Sequence, residues 1–115
     1  MEVTRFSDAA AYDAPGHFGM RALRLQGVDA SDCQSFWVGL SIFLPAGGAE
    51  PGAGATEKVY IVLDGEVTIA SDDGEFKLGP LDSCYLAPGE SRSVENRANM
   101  PARMLVISAQ RDAGA

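Results

Sequence analysis

The chain has a single histidine, His17. Histidine is the side-chain type whose charge changes near neutral pH. It lies between glycines in the segment Pro15–Gly19, PGHFG. Such a segment can fold over the mouth of a pocket, where the imidazole would act as a general acid or base. The alternative is an ordinary surface or capping histidine, and the sequence leaves both readings open.

Aromatic side chains supply the next candidates. Tyr60 and Tyr85 lie in strand-like runs, and a tyrosine hydroxyl that points into a pocket can donate to an enolate or carboxylate oxygen. Half-buried packing is the simpler reading of both. Trp37 and Phe43 share one face of the long run Ser35–Leu44. We expect core packing or a subunit interface there, with the wall of a ligand pocket as the sharper alternative.

Short runs rich in apolar and β-branched residues follow one another along the chain, with Gly, Pro, Asn and Asp between them. No segment keeps a helical period over ten residues, so the pattern predicts a single all-β domain, a sandwich or a barrel. The expected elements are an irregular N-terminal segment packed on the barrel (1–19), a loop (45–55), a tail (109–115) and eight strands within 20–108, at 20–25, 35–44, 58–63, 66–70, 75–78, 83–86, 92–95 and 102–108.

The turn Asp64–Gly65 separates two of these strand-like runs in TEKVYIVLDGEV, residues 56–67. Asp-Gly between two such runs is a strong signal for a two-residue type I′ turn, because both central residues of that turn need positive φ. The sequence therefore predicts a central hairpin between the two runs.

The chain is acidic, with 9 Lys and Arg against 16 Asp and Glu among 115 residues, a net charge of −7. This balance argues against nucleic acid and against an anionic membrane surface as partners. No apolar run approaches the roughly 20 residues of a membrane-spanning helix, and the N-terminus has no signal-peptide pattern. With only two cysteines, Cys33 and Cys84, we expect a cytoplasmic protein with free thiols. A local Arg or Lys can still bind a small anion.

Two stretches have a spacing typical of one family. The first runs from Gly47 or Gly48 to Gly65, and the second contains Ala87–Gly89, APG, followed by Asn96. Residues 44–108 thereby resemble the cupin family. The resemblance implies a double-stranded β-helix, or jelly-roll, barrel.

The metal ligands of that family are missing from the matching positions. In metal-binding cupins, two histidines and a glutamate of the first motif and one histidine of the second hold a divalent ion. Here the two histidine positions fall on Gly52 and Gly54, the glutamate position on Lys58 with Glu57 beside it, and the last histidine position on Arg92. Glycine has no side-chain donor and the two cations would repel a metal ion. We therefore expect no metal at this site and no other cofactor.

The same correspondence points Arg92 and Lys58 into the barrel mouth, where two cations would suit a small anionic ligand. One alternative is that Arg92 pairs with Glu57, Glu90 or Glu95 and only fills the vacated site. Another is that Glu57 faces inward and Lys58 faces solvent, since a one-residue shift in a strand exchanges its faces.

Three functions remain open. The first is a metal-independent isomerase, epimerase, cyclase or lyase of a small carboxylated or phenolic metabolite: Arg92 and Lys58 hold the anion, and His17 or a tyrosine moves the proton. The second is a module that binds or senses such a ligand without chemistry. The third is a metal enzyme, dioxygenase-like, with an atypical set such as His17, Glu57 and one of Glu50 or Asp82. A homodimer paired through sheet edges is also expected.

Overall fold

The computed structural model describes residues 1–110, which form an all-β barrel, as predicted. A single 3-10 turn, Phe6–Asp8, precedes nine strands: β1 (Ala10–Tyr12), β2 (His17–Gln26), β3 (Phe36–Gly52), β4 (Lys58–Asp64), β5 (Val67–Ser71), β6 (Gly74–Leu78), β7 (Ser83–Leu86), β8 (Arg92–Glu95) and β9 (Ala102–Ala109). Every pairing is antiparallel. The strand order is β6-β5-β8-β3-β9-β4-β7, with β2 beside β3 and β1 beside β2. Within residues 1–110, no helix has the length and apolar character needed to cross a bilayer.

Strand β3 connects the two walls of the barrel. Its first half, from Phe36 to Phe43, pairs with β2 and β9, and its second half pairs with β8 through Gly48, Ala49 and Gly52. The predicted loop at 45–55 is therefore wrong, because residues 45–52 are strand. A side chain at Gly48 would collide with the backbone of Val94, so the small residues of this stretch permit close strand pairing rather than prevent it.

The predicted central hairpin is also wrong, since β4 and β5 do not pair. Strand β4 pairs with β7 and β9, whereas β5 pairs with β6 and β8. Gly65 has φ +74° but Asp64 is not among the residues with positive φ, and a type I′ turn needs both. A Cβ on Gly65 would lie 2.7 Å from Cα of Ala102. This turn instead carries the chain from one wall to the other.

The N-terminal segment is more regular than expected. Strand β1 pairs with the stretch Ala22–Arg24 of β2, and β2 itself begins at His17 instead of Met20. The additional residues of β2 lie beside the second half of β3, where His17 is opposite Ala49. The other end of the chain also differs, because β9 includes Ala109. Gln110 follows β9 outside any strand, and residues 111–115 of the predicted tail lie outside the described residues.

The core lies between the two walls and consists of apolar side chains that alternate along the strands. Phe43, Val62, Val67, Val94 and Met104 are at most 1% exposed, and each contributes about 1.5–3 kcal/mol by burial. Several of these residues also line the cavity described next. The core thus holds the strands of the site at fixed positions.

Candidate functional site

A cavity of about 360 Å³ lies inside the barrel, lined by side chains of β2, β3, β4, β8 and β9 and by residues 12–15. Its apolar surface is formed by four core residues, Phe43, Val94, Met104 and Val106. Trp37 and Ser41 extend this surface along β3. The shared face of Trp37 and Phe43 on β3 is therefore a cavity wall as well as core.

Arg92 and Tyr60 both line the cavity and are hydrogen-bonded to each other. Arg92 Nε donates a hydrogen bond of 2.6 Å to the Tyr60 hydroxyl oxygen, and Arg92 Nη1 donates one of 3.2 Å to the carbonyl oxygen of Gly52. Arg92 is the first residue of β8 and lies opposite Gly52 in the sheet. Part of its guanidinium remains available for a ligand, because these bonds use only two of its five N–H donors.

Tyr60 is suited to donate a proton. Burial raises the pKa of its hydroxyl, against the opposing effects of the charge of Arg92 and its hydrogen bond. The hydroxyl is therefore protonated at neutral pH. Since its oxygen accepts the hydrogen bond from Arg92, its own proton is free to point toward a ligand.

Lys58, not Glu57, faces the interior. Lys58 and Tyr60 are two residues apart on β4 and both line the cavity, as the alternation of a strand requires, whereas Glu57 is exposed. Burial first, and the charge of Arg92 second, lower the pKa of the Lys58 ammonium. A side chain on Gly54 would collide with Lys58 Nζ, so the ammonium occupies room that this glycine leaves.

The four positions that correspond to the metal ligands of the family do converge. Gly52, Gly54, Lys58 and Arg92 line one small recess beside the cavity. Two of them offer no side-chain donor and two are cations, so this set does not fit a divalent metal ion. Across residues 1–110, no group of three or more His, Cys, Asp and Glu side chains is arranged to hold one.

A third cation enters the cavity from β2. The Arg24 guanidinium lies 3.8 Å from the centre of the Tyr12 ring and 4.8 Å from that of Trp37. The two rings meet edge to face, 6.2 Å apart at 79°. Burial raises the pKa of Tyr12, with Arg24 acting in the opposite direction. A Cβ on Gly39 would lie 2.6 Å from the Tyr12 hydroxyl, so glycine at this position makes space for the tyrosine.

His17 lies at the side of the cavity, with Asp13 and Pro15 nearby in the lining. Its Nδ1 is 3.0 Å from the carbonyl oxygen of Pro15. A carbonyl only accepts hydrogen bonds, so Nδ1 carries the proton of the neutral ring and Nε2 keeps a lone pair. That lone pair can accept a proton.

The structure thus brings together several of the residues singled out from the sequence: His17, Trp37, Phe43, Lys58, Tyr60 and Arg92. Tyr85 does not line the cavity. It lies on β7 opposite Val59 and is 57% exposed. Glu57 is outside as well. The sequence reading missed Asp13, Tyr12 and Arg24. Only Arg24 had a signal, the alternation of basic and apolar residues in MRALRL, residues 20–25.

The acidic partners considered for Arg92 bind elsewhere. Glu90 Oε1 accepts a hydrogen bond from the Ala87 amide, and Glu95 forms an ion pair with Arg97. The three ion pairs of residues 1–110 involve only Arg97 and Arg103 as cations. Arg24, Lys58 and Arg92 therefore face one cavity without a carboxylate partner in the described part of the chain.

Both cysteines are free thiols in this part of the chain. Burial raises the pKa of the Cys84 thiol, which disfavours the reactive thiolate. No chemistry is therefore assigned to Cys84.

Comparison with known proteins identifies the family. Residues 39–108 match the family model of the cupin domain, and this chain belongs to the cupin family. A protein of Mycobacterium tuberculosis named as a beta-D-galactosidase is 48% identical over 109 residues, covering 95% of this chain and 94% of that protein.

Solved structures of other cupins have the same fold. The polyketide cyclase RemF from Streptomyces resistomycificus superposes with a TM-score of 0.85 at 19% identity, over 96% of this chain and 80% of that chain. A sugar phosphate isomerase of the cupin superfamily from Silicibacter pomeroyi superposes with a TM-score of 0.78 at 22% identity, over 93% and 74% of the two chains. At these identities the likeness establishes the fold alone.

Proposed function

We propose that this cupin binds a small anionic metabolite in its barrel cavity and acts on it by metal-independent acid–base chemistry. The observation that carries the proposal is the convergence of Arg24, Lys58 and Arg92 on one cavity without a carboxylate partner among residues 1–110. A charged group in a partly desolvated site binds an opposite charge more strongly than it would in water. A carboxylate or phosphate group of a ligand would balance the positive charge of these three side chains.

The shape of the cavity suits a ligand with an apolar or ring-shaped body. Besides the cations, the cavity is lined by the apolar side chains of Phe43, Met104 and Val106 and by the ring of Trp37. A cavity of about 360 Å³ holds a small metabolite. A carboxylated or phenolic ring compound would place its anionic group at Arg92 and its ring against these apolar side chains.

Two groups can move a proton on such a ligand. His17 Nε2 keeps a free lone pair and can accept a proton from carbon or oxygen. Tyr60 is protonated and bonded to Arg92 Nε, so it can protonate an oxygen on which negative charge develops. A base and an acid that line the same cavity suit an isomerase, epimerase, cyclase or lyase, in which a proton leaves one atom and another is delivered elsewhere.

Solvent-exchange NMR tests this proposal. The protein is screened by thermal shift against small carboxylates and phenolics, and each stabilising compound is incubated in D₂O. We expect deuterium to enter at an activated carbon with the wild type and with Tyr85→Phe, and much more slowly with His17→Gln or Tyr60→Phe. Stabilisation without any exchange would instead support binding or sensing without chemistry.

Hydrolysis of β-D-galactosides is the second candidate, favoured by the name of the 48% identical relative. Glycosidases commonly use two carboxyl groups that flank the scissile bond. Among residues 1–110, Asp13 is the one carboxylate that lines the main cavity. Tyr60 would then serve as the acid, and the hydrophobic face of the sugar would lie on Trp37.

A chromogenic nitrophenyl β-D-galactoside separates the two candidates. Turnover by the wild type that is lost in Asp13→Asn and kept in Asp72→Asn, a substitution in the exposed β5–β6 turn, would favour hydrolysis. Turnover unaffected by Asp13→Asn would show that this carboxylate does not take part. No turnover, together with solvent exchange on an anionic compound, would favour the first proposal.

A further inference from the structure

The chain has only two lysines, and they lie in opposite environments. Lys58 is half-buried on β4 and lines the barrel cavity, whereas Lys77 is exposed on β6. Their surroundings decide how much of each is present as the free amine, the form that reacts with carbonyl groups. The exposed lysine is thus an internal reference for the one in the cavity.

The surroundings of Lys58 disfavour its charged form. Burial and the neighbouring guanidinium of Arg92 both lower the pKa of Lys58. Glu90 lines the same small recess, but its carboxylate is bonded to the Ala87 amide and forms no ion pair with Lys58. The other charged or titratable groups of the cavity are Asp13, His17, Arg24, Tyr12 and Tyr60. A lysine that is desolvated beside another cation is a recognised form of activated amine nucleophile.

We infer that Lys58 is a nucleophile that condenses with the carbonyl group of a small aldehyde or ketone carrying an anionic group, and forms an imine in the barrel cavity. The inference rests on the proposed function, because it concerns the same cavity and the same class of anionic ligand. It adds that the ligand carries a carbonyl carbon within reach of Lys58 Nζ. A 2-oxo acid is the simplest compound of this class.

The step is balanced without an oxidant or a reductant. The lone pair of Lys58 Nζ forms a bond to the carbonyl carbon as the C=O π bond opens, the oxygen takes up one proton, and the nitrogen loses one, which gives a neutral carbinolamine. The hydroxyl group then takes up a second proton and leaves as water, the nitrogen loses its second proton, and a C=N bond remains. Overall, one amine and one carbonyl compound give one imine and one water.

Neighbouring side chains are placed to assist this step. Tyr60 lies two residues along the same face of β4 and lines the same cavity, so its hydroxyl can supply the proton that the oxygen takes up. Arg92 is bonded to Tyr60 and close enough to lower the pKa of Lys58. A carboxylate held by Arg92 would therefore bring an adjacent carbonyl group toward the amine.

Reductive trapping tests the inference. The full-length protein is incubated with glyoxylate and sodium cyanoborohydride near neutral pH, which converts an imine to a stable carboxymethyl amine. Peptide mass spectrometry then reports labelling at Lys58, at Lys77 and at the N-terminal amine separately. We expect Lys58 to be labelled several-fold faster than Lys77 in the folded wild type, and this preference to disappear in urea. Lys58→Arg should remove the cavity label, while Lys77→Arg should leave it unchanged.

Each outcome decides for or against the inference. Equal labelling of both lysines in the folded protein, or preferential labelling of Lys77, would overturn it. Thermal shift in parallel with glyoxylate and with its alcohol analogue glycolate separates it from the proposed function. Stabilisation by both compounds without trapping at Lys58 would refute the imine and leave the anion site intact. Stabilisation by neither would count against the anion site, while the mass data still decide the imine. Unchanged thermal unfolding of Lys58→Arg serves as the control for folding.

Discussion

Arg92 Nε donates a 2.6 Å hydrogen bond to the hydroxyl oxygen of Tyr60, which links β8 to β4, two strands that do not pair in the sheet. The bond holds the guanidinium of Arg92 beside the hydroxyl group of Tyr60 in the lining of the cavity. It also explains why Tyr60, only 2% exposed, is tolerated within an apolar core, because buried hydroxyl groups need a partner.

Removing this hydroxyl should weaken both the fold and the site. Tyr60→Phe leaves Arg92 Nε without its acceptor, and we expect a loss of about 1–2 kcal/mol in the free energy of unfolding. The measurement is urea denaturation followed by fluorescence. Tyr85→Phe is the matched control, because Tyr85 is exposed, and its stability should stay within about 0.5 kcal/mol of the wild type. Equal stability of both variants would show that the bond contributes nothing.

The lowered pKa of Lys58 predicts how stability depends on pH. In the folded protein this pKa lies below its ordinary value of 10.5, so between the two values the unfolded state binds more protons than the folded state. Stability therefore rises with pH through this window. Below the folded pKa both states are protonated, and the full penalty of holding the ammonium in the cavity is present.

Lys58→Met should remove this contribution. We expect its stability advantage over the wild type to shrink as the pH is raised from about 7 to about 9.5, because the penalty falls as the pH approaches the ordinary lysine pKa of 10.5. Urea midpoints at the two pH values give the comparison, and Lys77→Met serves as the exposed control. The upper limit stays below pH 10, the ordinary pKa of tyrosine. Above it, Tyr12 and Tyr60, whose pKa values are raised in the folded protein, would add their own pH dependence to the stability. A constant difference between the wild type and Lys58→Met would contradict this assignment.

Gly39 leaves room for the rings of Tyr12 and Trp37, so a larger residue there should disturb them. A Cβ there would lie 2.6 Å from the Tyr12 hydroxyl and 3.2 Å from the Trp37 ring, so Gly39→Ala must displace one of them. We expect a loss of about 1–3 kcal/mol and a shift in the emission of Trp37, the only tryptophan. Gly79→Ala, whose nearest contact would be at 3.8 Å, is the control and should leave the emission unchanged.

Four positions that correspond to the metal ligands of metal-binding cupins line one recess. Metal-binding side chains introduced at these positions test whether they are close enough to share one ion. A variant with Gly52→His, Gly54→His, Lys58→Glu and Arg92→His presents three imidazoles and one carboxylate, a set that fits Zn²⁺ or Mn²⁺. We expect one metal ion per chain by elemental analysis. The same variant without Gly52→His and Gly54→His should bind much less. Failure of the four-residue variant to bind metal, although it folds, would show that the positions do not converge as described.

The strands were largely predictable because their alternation is a local property. The segments at 58–63, 83–86 and 92–95 lie within the strands of the structure. The errors occurred where long-range packing decided the outcome. Gly48 lies in a strand that pairs with β8, and the backbone of Val94 is so close that only glycine fits there. Asp64–Gly65 is not a hairpin turn, because both flanking strands find other partners.

The site was only partly predictable for the same reason. Arg92 and Lys58 could be found because they lie at positions that carry ligands in the family, whereas Tyr60 was chosen as a tyrosine in a strand-like run. Tyr12 could not be found, since its segment has weak periodicity and its place depends on the pairing of β1 with β2. Tyr85 was chosen by residue type, but strand alternation turns it outward. The homodimer and the cytoplasmic location stay predictions.

The cations of the barrel cavity, which have no carboxylate partner among residues 1–110, are proposed to bind a small anion, and calorimetric titration with 4-hydroxybenzoate is the measurement that tests this. We expect saturable binding to the wild type, weakened roughly ten- to hundredfold in Arg92→Ala because a charged hydrogen bond is lost. Arg21→Ala removes an exposed arginine from β2 and should leave the affinity unchanged. The same affinity in all three proteins, or an equal loss in both variants, would show that Arg92 does not hold the anion.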